Sequence, residues 1–368
     1  MRRLLAKGRR GSDPGPVGSE QLDTTARVGT VVLPNPVMTA SGTAGHGAEL
    51  GAYFDLSLLG AMVVKSLSAE PWAGNPAPRL LPVAAGMLNS VGLQNPGVGA
   101  WVADDLPALG RAGARVVVSL WGRSVGEYGQ VGGRLAQALD GDLGPVVAVE
   151  ANISCPNVED RERMFSHSTE ATAAALGSLA EALSGTGLPV WAKLSPNVTD
   201  IVSIAGAALG SGAAALTLVN TLMGLAIDPA FGAPRLGGGG GGLSGPALHP
   251  VAVRAVYDCR QAFPGAPIIG VGGVSSGYDA AELLCAGADA VQVGTATFVD
   301  PRAPVRVLDE LKDWCVSRGL WSVSQLAGGA CQSRRGRDDG RSSGRPLQET
   351  RADEAGQGNH GTGLGAGG

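Results

Sequence analysis

The sequence has little of what marks several classes of protein. Only 16% of its 368 residues are charged and 4% are aromatic. No stretch reaches the roughly 18 uninterrupted apolar residues that a membrane-spanning helix needs. The formal net charge of −4 provides no positive field for a polyanion. We therefore expect neither a nucleic-acid partner nor a membrane partner.

Cysteine is also sparse. The five cysteines are odd in number and widely spaced, and no CxxC or Cys/His cluster has the spacing of metal ligands. Among the first 25 residues the only apolar run, Leu4-Leu5-Ala6, is too short for the core of a signal peptide. These features predict reduced thiols, a cytoplasmic location and no metal site.

The two ends differ from the middle of the chain in composition. Residues 1–25 and 326–368 are rich in Gly, Arg and Ser and offer few apolar side chains. Burial in these segments cannot offset the entropy of ordering them. We therefore expect a disordered tail at each end and one folded domain over residues 26–325.

Short apolar or β-branched runs alternate with segments of helical periodicity, such as 168–184 and 301–313. This pattern predicts a parallel sheet buried on both faces, and eight repeats favour a closed (β/α)8 barrel. A doubly wound open sheet is the alternative, but after the first run residues 40–45 read ASGTAG rather than GxGxxG. The eight runs are 36–40, 61–65, 115–119, 146–150, 189–193, 215–219, 267–271 and 290–294.

Barrel enzymes place their chemistry at the C-terminal ends of the strands. The last two runs end in Gly272-Gly273 and Gly294-Thr295. Backbone N–H groups without side chains can bind a phosphate there, although tight turns alone would also use glycine. Lys65 and Lys193 end two earlier runs. Each would face a substrate carboxylate or the edge of a flavin that becomes negative on reduction, with a structural salt bridge as the alternative.

Two polar segments complete the candidate site. Residues 152–158 follow the fourth run and include the thiol of Cys155. A free cysteine is more often a small buried hydrophobe, which we expect of Cys259, Cys285 and Cys315. Residues 89–96 follow the second run and offer amides to a planar ligand, although a turn without a ligand would have the same composition.

These segments resemble the class 1 dihydroorotate dehydrogenases, FMN enzymes that oxidise dihydroorotate to orotate in pyrimidine synthesis. The resemblance covers about residues 26–320 and implies the (β/α)8 fold. It rests on ordered motifs at residues 35–42, 65–66, 74–79, 89–95, 152–157, 193–196, 220–221, 242–247 and 270–274.

The resemblance also implies roles for individual residues. Class 1 uses cysteine as its base where the membrane-associated class 2 uses serine, so Cys155 is the implied base. The implied FMN contacts are Ser41, Lys65, Ser66, Ser119, Asn152, Lys193, Val219, Gly245, Gly272, Gly273, Gly294 and Thr295. The implied substrate contacts are Lys65, Asn89, Ser90, Val91, Gly92, Leu93, Asn152, Asn220 and Thr221.

Residues 152–157 and 242–247 resemble the type B subgroup in particular. That subgroup pairs with a subunit that carries FAD and an iron–sulfur centre and passes electrons to NAD, so the resemblance implies such a partner. It also implies a homodimer.

The sequence departs from the family in several places, one of which is a run of glycines at residues 237–242. Ser119 stands where the family usually has an asparagine that touches flavin, and Trp72 stands where a charged residue is common. These departures keep two alternatives open. One is a related FMN barrel that acts on another dihydropyrimidine, as the dihydropyrimidine dehydrogenases do, and the other is a flavin-binding barrel without turnover.

Overall fold

Eight parallel strands form a barrel wall in the computed structural model, which describes residues 21–154, 156–157 and 163–331. Neighbouring strands lie in the order β1-β8-β7-β6-β5-β4-β3-β2. A parallel bridge between Met38 and Ala61 joins β1 to the start of β2 and closes the sheet. The strands are β1 (Val37–Thr39), β2 (Met62–Val63), β3 (Val116–Leu120), β4 (Val146–Asn152), β5 (Val190–Leu194), β6 (Ala215–Leu218), β7 (Ile268–Val271) and β8 (Ala290–Val293). The predicted (β/α)8 barrel is confirmed.

Helices follow the strands and cover the outside of the wall. In α3 the buried residues Tyr128, Val131, Leu135 and Leu139 recur every three or four positions and form one apolar face. None of the helices in the described ranges is both long enough and apolar enough to cross a membrane. The helices are α1 (Val98–Asp104), α2 (Leu106–Arg111), α3 (Val125–Leu139), α4 (Thr169–Leu183), α5 (Ile201–Gly210), α6 (His249–Ala262), α7 (Gly277–Ala286), α8 (Ala296–Val299) and α9 (Ala303–Ser317).

Side-chain hydrogen bonds cap the starts of α3, α4, α5 and α7. Ser276 precedes α7 and accepts a hydrogen bond from the Asp279 backbone, while the Asp279 side chain accepts one in return. Such a reciprocal pair satisfies two backbone donors that a helix start leaves open. Short 3-10 turns occupy the remaining connections, at Glu49–Ala52, Leu56–Leu58, Phe165–His167, Pro246–Leu248 and Val323–Leu326.

The barrel interior is filled in layers. An apolar layer lies toward the start of the strands and packs against an antiparallel hairpin of Ala26–Val28 and Val31–Leu33. It contains Met38, Val63, Val117, Ala148, Trp191, Ala215, Ile269 and Ala290. Side chains on one face of a strand recur every second residue. Two residues further along, the strands carry a second, polar layer that contains Ser119, Glu150, Lys193, Thr217 and Gln292.

A second sheet, the cap sheet, forms from the long connections after β2 and β6. It has four antiparallel strands, and Asn89 pairs with Gly242 in the register that joins the two connections. Its strands, in sheet order, are Leu222–Gly224, Gly241–Ser244, Gly86–Asn89 and Leu80–Val83. Two small hairpins pair Pro156–Asn157 with Arg163–Met164 and Ile227–Asp228 with Ala233–Pro234.

The described chain runs past both ends of the predicted domain. Leu22 and Cys331 are buried, and Asp23 forms a bridge with Ser322. The tails expected over residues 1–25 and 326–368 lie mostly outside the described residues, so these boundaries stay a prediction.

Candidate active site

A cavity of about 250 Å³ lies at the C-terminal ends of the barrel strands and is bordered by the cap sheet. Most of the residues that the sequence assigned to a cofactor or a substrate meet in its lining. From the barrel ends these are Ser41, Lys65, Ser66, Asn152, Lys193, Val219, Asn220, Thr221, Gly272, Gly273, Gly294 and Thr295. From the connection after β2 they are Asn89, Val91, Gly92 and Leu93.

The other four predicted site residues are not among the described residues that line the cavity. Ser90 and Ser119 are buried, and Gly245 lies beside Gly86. Cys155 lies outside the described residues, although the preceding residue, Ser154, is part of the lining.

One end of the cavity is formed by bare backbone. Gly273 has a φ of +69°, and a Cβ there would lie 2.7 Å from the Cβ of His249. Within the described part of the chain, no hydrogen bond uses the backbone N–H of Gly273, Gly294 or Thr295. Unpaired backbone N–H groups in glycine-containing loops at strand ends suit a phosphate. This end of the cavity therefore fits the phosphate of a nucleotide cofactor.

Lys193 is both a cavity residue and a member of an ion pair. Only 3% of it is exposed, and its Nζ lies 3.2 Å from Ser41 Oγ, 3.2 Å from Gln292 Oε1 and 3.4 Å from Glu150 Oε1. Glu150 and Gln292 were not among the residues predicted from the sequence. The available signal was a charged residue and an amide inside two apolar strand runs.

A second cation, Lys65, lies near His46. Burial is the main cause that lowers the pKa of His46 to about 4, and the positive charge of Lys65 contributes in the same direction. His46 is therefore uncharged at neutral pH. The two lysines, Lys65 and Lys193, supply positive charge to the described cavity wall.

A chain of hydrogen bonds fixes the amides that line the cavity. Ser119 Oγ lies 2.8 Å from Ser66 Oγ, which accepts a hydrogen bond from Asn152 Nδ2 at 3.1 Å. Asn152 Oδ1 accepts from Asn220 Nδ2 at 3.1 Å, and Asn220 Oδ1 accepts from the Thr221 N–H at 2.9 Å. The amide donors and acceptors consequently have defined directions, which suits a planar ligand with alternating polar groups. Ser119 lies at the buried end of this series of hydrogen bonds.

Hydrogen bonds join residues 89–95 to residues 72–75. Trp72 exchanges backbone hydrogen bonds with Asn95, and its Nε1 donates to Gly92 O at 2.9 Å. Asn75 Nδ2 donates to Ser90 Oγ at 3.0 Å. The guanidinium of Arg123 lies 4.7 Å from the centre of the Trp72 ring. Trp72, a departure from the family pattern, therefore holds one side of the cavity.

Further residues line the cavity without having been predicted. Ser244 Oγ accepts a hydrogen bond from Thr295 Oγ1 at 2.7 Å and thereby links the cap sheet to the bare-backbone end. Ser244 lies inside the motif at 242–247, which could have pointed to it. The others are Ala40, Gly42, Thr43, Leu80, Met87, Leu248, Val271 and Phe298.

The cysteines that the structure describes, Cys259, Cys285, Cys315 and Cys331, do not line the cavity. Cys259 and Cys315 are buried, as expected, whereas Cys285 is half-buried. Burial raises the pKa of Cys259 to about 12 and that of Cys315 to about 11. Thiols that stay protonated are poor nucleophiles and bases.

Comparison with known proteins identifies the family. The family model described as dihydroorotate dehydrogenase matches residues 24–314. A protein of Desulforudis audaxviator named dihydroorotate dehydrogenase B (NAD(+)), catalytic subunit, is 48% identical over 310 residues, which cover 84% of this chain and 98% of that protein. Proteins of the same name from Citrifermentans bemidjiense and Geobacter sulfurreducens are 45% and 44% identical and cover 83% of this chain and 97% of their own lengths. The resemblance found in the sequence is thus confirmed, and this chain belongs to the dihydroorotate dehydrogenase family of flavin-dependent oxidoreductases.

Proposed function

We propose that this chain is the catalytic subunit of a type B enzyme that uses FMN to oxidise (S)-dihydroorotate to orotate in de novo pyrimidine (UMP) biosynthesis. The names of its relatives favour this activity over action on another dihydropyrimidine and over flavin binding without turnover. One observation carries the proposal. A single cavity joins a bare-backbone anion cradle to two lysines and a set of oriented amides.

The described residues fit FMN. The backbone N–H groups of Gly273, Gly294 and Thr295 would hold its one phosphate, because nothing else in the described chain uses them. Lys193 would balance the negative charge of the reduced ring, since its Nζ is held at the cavity wall. Ser41, Ser66 and Val219 line the same cavity and would complete the contacts. Ser119 would act through Ser66, to which it is hydrogen-bonded.

The reaction removes a proton from C5 and a hydride from C6 of dihydroorotate, and a C5=C6 double bond forms. The bound flavin supplies the hydride acceptor. Cys155 Sγ, which follows β4, would take the C5 proton as general base. Asn152, Asn220 and Thr221 would orient the ring through their fixed donors and acceptors, and Lys65 would pair with the substrate carboxylate.

Electrons must then leave the reduced flavin. The relatives are named as NAD(+) catalytic subunits. We propose that a separate subunit with FAD and an iron–sulfur centre carries the electrons to NAD. The five cysteines of this chain are too scattered in sequence for an iron–sulfur motif. A homodimer of this chain and a cytoplasmic location stay predictions.

The test is a single-turnover reduction. The purified protein is reconstituted with FMN, gel-filtered, and mixed without oxygen with dihydroorotate or, as the matched control, with dihydrouracil, which lacks the carboxylate. We expect one bound flavin per chain. The absorbance of the oxidised flavin should be lost with dihydroorotate but not with dihydrouracil. Failure to retain FMN contradicts the cofactor assignment, and faster reduction by dihydrouracil contradicts the substrate assignment.

A further inference from the structure

Glu150 is a charged residue placed inside the barrel. Its side chain is fully buried in the polar layer, on β4, and it is not among the described residues that line the cavity. A buried carboxylate is costly unless other groups compensate it. A charge at this depth therefore points to a role that an apolar side chain could not fill.

The partners of Glu150 connect it to the cavity. Its Oε1 lies 3.4 Å from Lys193 Nζ, and its Oε2 accepts a hydrogen bond from Gln292 Nε2 at 2.7 Å. Gln292 in turn accepts a hydrogen bond from Lys193 Nζ through Oε1 at 3.2 Å. Glu150 thus holds the lysine directly and also through Gln292. Oε1 makes no hydrogen bond within the described residues, so its interaction with Lys193 is mainly one of charge.

We propose that Glu150 is a positioning residue that sets the reduction potential of the bound flavin, by fixing the Lys193 ammonium and offsetting part of its charge. This rests on the proposed function, in which the flavin lies against Lys193. Reduction leaves negative charge on the flavin ring, and a nearby ammonium stabilises that charge. A carboxylate behind the ammonium weakens this stabilisation, because charges in a poorly hydrated interior are little screened. The pair of Lys193 and Glu150 therefore gives the flavin a lower reduction potential than Lys193 would give without Glu150.

The test is the midpoint potential of the flavin in Glu150→Gln, which keeps the shape of the side chain and removes its charge. We expect the ratio of oxidised-flavin to reduced-flavin dissociation constants to rise about tenfold, equivalent to a rise of about 30 mV for a two-electron couple. Thr217→Val is the matched control. Thr217 is fully buried beside Lys193 in the strand register, and its Oγ1 makes no hydrogen bond within the described residues. An unchanged or lowered potential in Glu150→Gln overturns the proposal.

Glu150→Asp provides a second, independent variant. It keeps the carboxylate but withdraws it from Lys193 by one methylene, so the potential should lie between those of the parent and Glu150→Gln. If Glu150→Gln does not fold, as judged by circular dichroism, a parent-like potential in Glu150→Asp overturns the proposal instead. A parent protein that binds no flavin contradicts the proposed function. A parent that binds flavin, with variants of unchanged potential, contradicts only the role of Glu150.

Discussion

The barrel wall and the cap sheet surround one cavity but are built differently. The wall presents its site residues from strands buried on both faces, and Lys193 and Asn152 are 3% and 6% exposed. The cap sheet presents Asn89 from a strand that is mostly half-buried, and exposed and half-buried residues alternate in its neighbour Leu80–Val83, where Leu80 is 41% exposed. Packing fixes side chains in the wall, whereas backbone pairing fixes the cap. Changes in the wall should therefore alter the chemistry of the cofactor, and changes in the cap should alter binding of the substrate.

The largest effect is expected from a change at Cys155, which follows the wall strand β4 in the sequence. Cys155→Ala should lower the rate of flavin reduction by dihydroorotate by about 10²–10⁴, because a positioned base contributes that much. Flavin content should stay at the parent level. Stopped-flow absorbance measures the rate, and Cys285→Ala on α7 is the control. Reduction at the parent rate across the pH range would show that the base lies elsewhere.

Lys193→Met should come next. Loss of one preorganised charge lowers the rate of flavin reduction by about 10²–10³. It also leaves Glu150 buried without its cation, which should lower the free energy of unfolding by about 3–5 kcal/mol. Stopped-flow absorbance and urea titration measure the two effects. Lys312→Met, which breaks only the ion pair with Asp309 on α9, should change neither. A parent-like rate would remove Lys193 from the flavin site.

Gly273→Ala tests the bare-backbone end of the wall. An alanine must adopt a φ of +69°, and its Cβ would approach His249 Cβ to 2.7 Å. We expect the dissociation constant of FMN to rise at least tenfold, or about 1.4 kcal/mol, by fluorescence titration. Gly265→Ala is the control, because its Cβ would meet nothing within 4 Å. Unchanged FMN affinity would contradict the phosphate assignment.

Gly242→Ala makes the corresponding change in the cap sheet. Its Cβ would overlap Thr221 Oγ1 and would displace that residue. We expect the KM for dihydroorotate to rise about tenfold, or ~1.4 kcal/mol, while FMN affinity stays at the parent value. Gly99→Ala, with open space around its Cβ, is the control. Loss of FMN from Gly242→Ala would break the division between wall and cap.

Trp72→Phe should have the smallest effect. It keeps a ring beneath Arg123 but loses the hydrogen bond from Nε1 to Gly92 O. Loss of one such bond is worth ~0.5–1 kcal/mol, so we expect the KM for dihydroorotate to rise about two- to fivefold with little change in kcat. Trp314→Phe on α9 is the control, because Trp314 likewise stacks against an arginine, Arg318. A larger change in kcat than in KM would mean that Trp72 affects the chemical step rather than the position of residues 89–95.

Much of the wall could be predicted from the sequence, because its signals are local. Buried parallel strands read as continuous apolar runs, and the residue that follows such a run lies at the active end of a barrel. Each of the eight predicted runs overlaps a barrel strand, although β3, β4 and β5 extend one or two residues beyond their runs. Lys65, Lys193, Asn152 and the glycines after the last two strands do line one cavity. The roles of these residues, and of Cys155 above all, stay predictions that the experiments above address.

The rest depends on contacts between residues that are distant in the chain. No local pattern pairs Gly86–Asn89 with Gly241–Ser244, because both segments are only four residues long and mostly half-buried. Closure of the barrel decides which inward side chains meet, and so brings Glu150, Lys193 and Gln292 together from three strands. Ser119 likewise turns toward Ser66 once β2 and β3 are neighbours. The sequence determined the wall and the residues at its strand ends, whereas only the tertiary structure decided which charges and amides face one another there.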